Sequence, residues 1–239
     1  MTDGAPSDAP RTLADVWPPA RIVVRTPRLE LRLPTEAELL ELAEVATQPI
    51  HDPDFMPFSS PWSDAEPDDI RRNLLTWHWQ CRANWKPEAW SLLLVAFVDG
   101  RAVGGQDARA VDFDAARSIG SGSWLTRSMQ GQGLGTEMRQ ALLALAFGEL
   151  DAREATSGAV HGNAASLRVS EKCGYVTTGE NETIVTRGVR APGGPSSLTS
   201  REVKVALTRG QWLANRRSDI TVSGVDDDVR DMLGISSFA

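Results

Sequence analysis

Apolar and polar residues alternate along RIVVRTPRLELRLP (21–34), the period of an extended chain, and Pro27 marks a break or edge-strand bulge in it. The period then lengthens. In TEAELLELAEVA (35–46), Leu39, Leu42 and Val45 share a helical face, Thr35 stands at the N-cap and Glu38 follows three residues on. Residues 48–67, QPIHDPDFMPFSSPWSDAEP, have no period and many prolines, and a loop of this length in a compact domain is often functional. DDIRRNLLTWHWQCRANW (68–85) reads as a helix with acids in its first turn. Asp99-Gly100 is a two-residue turn signal between apolar strands and predicts a hairpin over 90–113. ARSIGSGSWLT (116–126) is a further strand, followed by a glycine-bearing loop and a helix at about 136–148. EATSGAV (154–160) is a short strand, and NAASLRVSEKCG (163–174) a short helix ended by Gly174. VTTGENETIVTRGV and REVKVAL are strands joined by RAPGGPSSLTS, and TRGQWLANRR is a last helix. Residues 1–18 and 218–239 lack period and are expected as a flexible arm and a tail around a domain spanning 19–217. Helices and strands mix without strict alternation, which predicts one α+β domain built on a mixed sheet.

Composition narrows the class. The 239 residues carry a formal net charge of −7, with 41% hydrophobic and 24% charged residues, as in a soluble globular protein. No cluster of Lys and Arg marks a nucleic-acid footprint. The longest apolar runs, LLLVAFV and ALLALAF, fall far short of the roughly 18 residues a membrane span needs. The opening MTDGAPSDAPRTLADVWPPA does not read as a signal peptide. Cys81 and Cys173 stand in no paired motif, and the three histidines have no metal-ligand spacing. A cytoplasmic protein without a metal or a membrane contact is expected.

The candidate chemistry lies in RSMQGQGLGTEMRQALLALAFG (127–148). Glycines at 131, 133 and 135 precede an apolar helix. A helix N-terminus presents unpaired amides and roughly half a positive charge, and it binds anions. The loop is then either a plain helix entry or a phosphate cradle. A P-loop needs a Lys that is missing beside Gly135-Thr136, and a dinucleotide fingerprint needs its third glycine one residue later.

Gln130, Gly133 and Gly135 do meet the pattern Gln/Arg-x-x-Gly-x-Gly/Ala, and NAASLRVSEKCGY (163–175) meets Asn-x-x-Ser-x-x-x-x-x-Lys-x-Gly-Phe/Tyr. With RTPRLELRLPTEAELLEL near the start and VALTRGQWLANRR near the end, the chain over about 21–217 resembles the RimJ/RimL-like branch of the GNAT N-acyltransferase superfamily. The resemblance implies a mixed, mostly antiparallel twisted sheet flanked by helices, with the strand SWLT splayed from ATSGAV. It implies acetyl-CoA as co-substrate, with succinyl-CoA as an alternative, and an amine acceptor that is a protein N-terminus, a lysine or a small molecule. A non-catalytic acyl-CoA-binding protein on the same scaffold is the other class. A homodimer is implied as well.

Residue by residue, the resemblance places the pantetheine arm and thioester against Trp124, Leu125 and Thr126, and the pyrophosphate on the amides of Gln130, Gly131, Gln132, Gly133, Leu134, Gly135 and Thr136. Asn163 would bond the pantetheine, and Arg127 and Arg168 are either phosphate contacts or exposed arginines. The single tyrosine, Tyr175, closes the second motif and is expected to pack, which leaves Ser166 beside the sulfur as proton donor to the thiolate. Val185 stands where some relatives carry a glutamate base, and Glu182 is the substitute. His51, with Asp52 or Asp54, and His78 are the candidate acceptor-site residues, and each histidine is otherwise structural or exposed.

Overall fold

The computed structural model describes residues 11–235. The strands are β1 (Val23–Arg25), β2 (Glu30–Arg32), β3 (Ala89–Val98), β4 (Arg101–Val111), β5 (Ser118–Ser121), β6 (Ser123–Leu125), β7 (Glu154–Val160), β8 (Val176–Arg187), β9 (Ser196–Thr208) and β10 (Thr221–Ser223). The helices are α1 (Leu13–Val16), α2 (Glu36–Ala46), α3 (Pro67–Ala83), α4 (Phe113–Ala116), α5 (Leu134–Leu143), α6 (Ala164–Lys172), α7 (Arg209–Asn215) and α8 (Asp227–Met232). One sheet runs in the order β10-β1-β2-β3-β4-β5-β7-β9-β8, with β6 paired to β4 outside that path. Every pairing is antiparallel except β5 with β7, so this is the expected α+β architecture.

Local chemistry sets the elements. Thr35 Oγ1 accepts the Glu38 amide while Glu38 Oε2 accepts the Thr35 amide at 2.9 Å, a reciprocal cap that starts α2. Asp99 and Gly100 both have positive φ, at 49° and 74°, as the tight β3–β4 turn demands. The larger core lies on the α5 face, where Leu92, Leu94, Met138, Leu142 and Phe147 are buried together. Each such side chain contributes about 1.5–3 kcal/mol. On the opposite face α2 and α3 bury Leu39, Leu42 and Ile70 against Val95 and Phe97. No helix among the described residues is long and apolar enough to cross a membrane.

The packing redraws the expected boundaries at 18 and 218. Residues 1–10 and 236–239 lie outside the described residues, but Leu13–Val16 is helical and β10 pairs in register with β1, Val24 opposite Val222. Val229, Leu233 and Ile235 sit in the main core. Trp85 Nε1 donates to Met232 O at 2.7 Å and Trp90 Nε1 to Leu233 O at 3.0 Å. The described part of the tail is thus the sheet's last strand and a lid on its core. The loop foreseen at 190–200 is also shorter, because β9 starts at Ser196 and pairs with β8 out to Arg187. This ribbon outruns β7, whose last partner is Glu202 opposite Val160. Its end lies on the proline-rich 48–66 loop. Arg190 N donates to Asp64 O at 3.0 Å, Arg187 Nη2 to Pro53 O at 2.7 Å, and Val185 packs on Met56 and Val160. Gly188 is required there, since a Cβ would stand 2.7 Å from that of Asp64.

Candidate active site

β5 lies parallel to β7 from Ser118 opposite Glu154 to Ser121 opposite Ser157. Beyond that point β6 pairs only with β4, and residues 158–160 of β7 pair only with β9. The two strands open into a V. Its apex is joined by Ser157 Oγ, which donates to Ser121 O at 2.9 Å. The hinge is Gly122. Its N–H donates to Asp107 Oδ1 at 2.8 Å, and its carbonyl accepts from Asp107 N at 2.9 Å and Gln106 Nε2 at 2.8 Å. A Cβ at Gly122 would stand 2.8 Å from Asp107 Oδ2, so only glycine fits. The cleft-facing edge of β6 has no strand partner and offers the alternating donors and acceptors that an extended, amide-bearing ligand pairs with.

The glycine loop stands at the mouth of this V. Gly131 and Gly133 hold positive φ, 74° and 82°, and Gly133 is the N-cap of α5. The first backbone bond of the helix is Glu137 N to Gly133 O at 3.1 Å, and the amides of Gly131 through Thr136 donate to no acceptor among the described residues. A run of unpaired amides at a helix start fits a pyrophosphate. Gln130 itself is committed elsewhere. Its Nε2 donates to Ile50 O at 2.7 Å and Leu125 O at 2.8 Å, tying loop, strand and proline-rich segment together. Leu125 and Thr126 are buried, the Trp124 ring lies 5.4 Å from that of Trp62, and the backbone of Arg127 bonds Pro49 O.

Sequence reasoning missed Arg28. Its Nη1 donates to Gln132 O at 2.9 Å, and its Nη2 would stand 3.4 Å from a Cβ at Gly133, which sets a cation beside the cradle. Glu137, only 2% exposed, holds it there: Glu137 accepts Thr26 Oγ1 and the backbone and side chain of Arg28. Burial pushes the Glu137 carboxyl up, but the Thr26 hydroxyl and Arg28 outweigh it and hold its pKa below the usual value of 4.5. A depressed folded pKa gives stability that is present above the unfolded pKa and is lost as pH falls through the folded one. Glu137→Gln should therefore cost about 1–3 kcal/mol at pH 7. Thermal melts of both proteins from pH 7 to pH 3 check this, with the gap between them shrinking toward acid.

Asn163 caps α6, its Oδ1 accepting the Ser166 amide at 3.1 Å, which leaves both Nδ2 hydrogens and one Oδ1 lone pair for a ligand. The Ser166 hydroxyl makes no hydrogen bond among the described residues and stands in the helix that follows the β7 leg of the V. Beneath the apex, Arg139 of α5 is 2% exposed. Its Nη2 reaches Ser123 Oγ at 3.4 Å and its guanidinium lies 5.7 Å from the Tyr175 ring, while its Nε and Nη1, the Tyr175 hydroxyl and Gln106 Oε1 are buried and meet no hydrogen-bond geometry among the described residues. Tyr175 packs as expected, 7% exposed, with burial raising its pKa.

Other candidates fall away from the cleft. Glu182 lies exposed in the β8–β9 ribbon opposite Arg201, on the outermost strand of the sheet, and its side chain makes no hydrogen bond or ion pair among the described residues. Both His51 nitrogens are engaged within their own loop, Nδ1 with Asp52 O at 2.9 Å and Nε2 with Ser63 Oγ at 2.8 Å. His78 is 7% exposed. Burial, then the nearby Arg82 charge, lowers its pKa to about 4, so it is neutral and packed rather than open to an acceptor. The signal was there in α3: Trp77, Gln80, Cys81 and Asn84, at helical spacing, line a cavity over β4 and β5, and His78 is off that face.

Comparison with known proteins agrees with this fold. The family model described as the acetyltransferase (GNAT) domain matches residues 28–176. Among solved structures, RimL, a ribosomal L7/L12 α-N-protein acetyltransferase in complex with coenzyme A, superposes at TM-score 0.58 with 16% identity, over 78% of this chain and 97% of its own. RimJ of Mycobacterium smegmatis in complex with CoA-disulfide gives 0.57 and 18%, over 83% and 95%. The ribosomal-protein-S5-alanine acetyltransferase of Vibrio fischeri gives 0.57 and 14%, over 80% and 98%. At these identities the likeness is one of fold.

Proposed function

We propose, on the premise that the chain belongs to the GNAT acetyltransferase family, that it moves an acetyl group from acetyl-CoA directly to an amine. The observation that carries this reading is the run of unpaired amides from Gly131 to Thr136 at the mouth of the V between β6 and β7. Those amides suit the pyrophosphate, with Arg28 as an added cation. The strand edge at Trp124 and Leu125 suits the pantetheine, together with Asn163, although Leu125 O already accepts Gln130 Nε2 and the backbone of Thr126 is bonded to Val103 and Met129. A backbone N–H of that strand stabilises the oxyanion that forms at the thioester carbonyl. Ser166 Oγ, uncommitted in its helix, donates a proton toward the departing thiolate, which at a pKa near 8.5 needs little help. Glu182 is not carried forward. The acceptor is a primary amine, whether of a protein N-terminus, a lysine or a small molecule. A reducing, cytoplasmic setting suits the free thiols of Cys81 and Cys173.

Native mass spectrometry of the purified protein identifies the donor by the mass of a retained acyl-CoA, acetyl or succinyl. Thiol release from acetyl-CoA is then followed across an amine panel. CoA binding without amine-dependent release would leave a binding protein, and no CoA binding at all would sink the acyl-transfer reading.

A further inference from the structure

The attacking amine must lose a proton, and Glu182, His51 and His78 stand badly placed to take it. The hinge itself supplies a better group. Asp107 of β4 directs its carboxylate over Gly122, where β5 turns into β6. Oδ1 is held by the Gly122 N–H at 2.8 Å and lies 3.3 Å from Arg109 Nη1. Oδ2 accepts no hydrogen bond among the described residues, and it occupies the space a side chain at Gly122 would fill. One oxygen is thus fixed and the other is free, over Gly122, the residue before the strand proposed to carry the thioester.

The surroundings suit an ammonium. Beyond Gly122 the next leg of the V presents Gly158, over which the Glu202 carboxylate of β9 lies, paired with Lys204. The glycines at 120, 122 and 158 let the side chains of Arg109, Asp107 and Glu202 lie directly on the sheet. Two residues along β4 from Asp107, its ion-pair partner Arg109 lines a cavity of about 490 Å³ that Trp77, Gln80, Cys81 and Asn84 of α3 wall and Ser91 and Gly120 help to floor. That volume takes a compact body, with apolar contact from Trp77, Trp90 and Val111 and polar groups at Gln80, Asn84 and Arg109.

We infer that Asp107 Oδ2 holds the acceptor's primary ammonium and takes its proton, with the body of the acceptor in the cavity between α3 and the β4–β5 floor. The inference rests on the acyl-transfer reading above. Asp107 takes the first ammonium proton and passes it to water. The nitrogen lone pair then forms the C–N bond at the thioester carbon, the C–S bond breaks as Ser166 Oγ gives its proton to the thiolate sulfur, and the second proton leaves nitrogen to restore the Ser166 hydroxyl. The groups facing Asp107 tune it. Burial raises its pKa, while Arg109 on the same strand, the Gly122 N–H and Arg139 from α5 act against that rise. Cys81 from α3, its thiol pushed up to about 11 by burial and then by Asp107, stays neutral. The net displacement is upward, in the direction a proton acceptor needs.

The test uses the full chain with acetyl-CoA and two acceptor sets, 2-phenylethylamine with related small amines, and short peptides with free N-termini. Asp107→Asn keeps an oxygen for the Gly122 N–H. It should bind CoA with an unchanged Kd while kcat/KM for the amine falls by about 100-fold or more. The carboxylate limb of the pH–rate profile should vanish, leaving only the ionisation of the amine. The set of acceptors that turns over separates a small molecule from a peptide as the cavity's occupant. A D107N protein within two-fold of wild type overturns the assignment, as does a wild-type profile with no carboxylate limb. A wild type that binds no CoA overturns the acyl-transfer reading instead, which a calorimetric CoA titration distinguishes.

Discussion

Gly133→Glu should leave the fold intact and weaken CoA binding by about 100-fold or more. Two costs add. The backbone at 133 sits at φ 82°, and holding a side-chain-bearing residue there costs about 1–2 kcal/mol. The new carboxylate also enters the anion site. It offers the unpaired amides of 131–136 an internal partner, and it draws on Arg28, whose Nη2 would stand 3.4 Å from its Cβ. Repulsion of the pyrophosphate then supplies the larger part, because like charges in a partly desolvated site interact more strongly than in water. Gly133→Ala separates the two, carrying the backbone cost without the charge, and should fall between. Calorimetric titration with CoA, beside circular dichroism, reads all three proteins. A well-folded Gly133→Glu protein with wild-type affinity would remove the cradle.

Ending the chain at Arg217 should abolish cooperative folding. The truncation strips Val229, Leu233 and Ile235, at 0%, 0% and 2% exposure, from the main core. Each loss costs about 1.5–3 kcal/mol in burial alone. It also leaves the indole N–H groups of Trp85 and Trp90 without Met232 O and Leu233 O, at about 1–3 kcal/mol apiece, and removes β10, one of the two strands paired with β1. Together these approach the roughly 5–15 kcal/mol by which a domain is stable. Leu233→Ala is the milder form and should cost about 2–5 kcal/mol, read as a lowered urea midpoint. A truncated protein that unfolds cooperatively at the wild-type midpoint would show the tail to be dispensable.

That tail is instructive about what a sequence displays. The hairpin at Asp99-Gly100, the Thr35 cap and the glycine loop are legible because a few adjacent residues determine each. SDITVSGVDDDVRDMLGI looks aperiodic because β10 and α8 are only 3 and 6 residues long, and their order comes from contacts with distant parts of the chain. The cue was Asp226, which caps α8 by accepting the Val229 amide, ahead of Val229 and Leu233 one turn apart. The site divides in the same way. The phosphate loop is local in sequence and could be read. Arg28 meets Gln132 across 104 positions, Gln106 meets Gly122 across 16, and Arg139 shows its burial only once the sheet is folded. The expectations for Glu182 and His78 rest on motif counting and on the resemblance, neither of which says which strand is outermost or which helix face is covered.

The ribbon of β8 and β9 alters how the cleft can breathe. Proline-rich loops commonly fluctuate alone, within nanoseconds to microseconds. Here the 48–66 loop is fastened at Pro53, Ser59 and Asp64 by bonds from Arg187, Thr186 and Arg190, and Met56 is seated on Val185. Neither segment can lift without the other. Displacing them means breaking those bonds and uncovering that small apolar cluster together, a cooperative event in the microsecond-to-second range of local unfolding. The amides of Thr186 and Arg190 should then exchange with solvent at one common rate. That rate, rather than side-chain motion, would pace the entry of a bulky acceptor and the departure of its product.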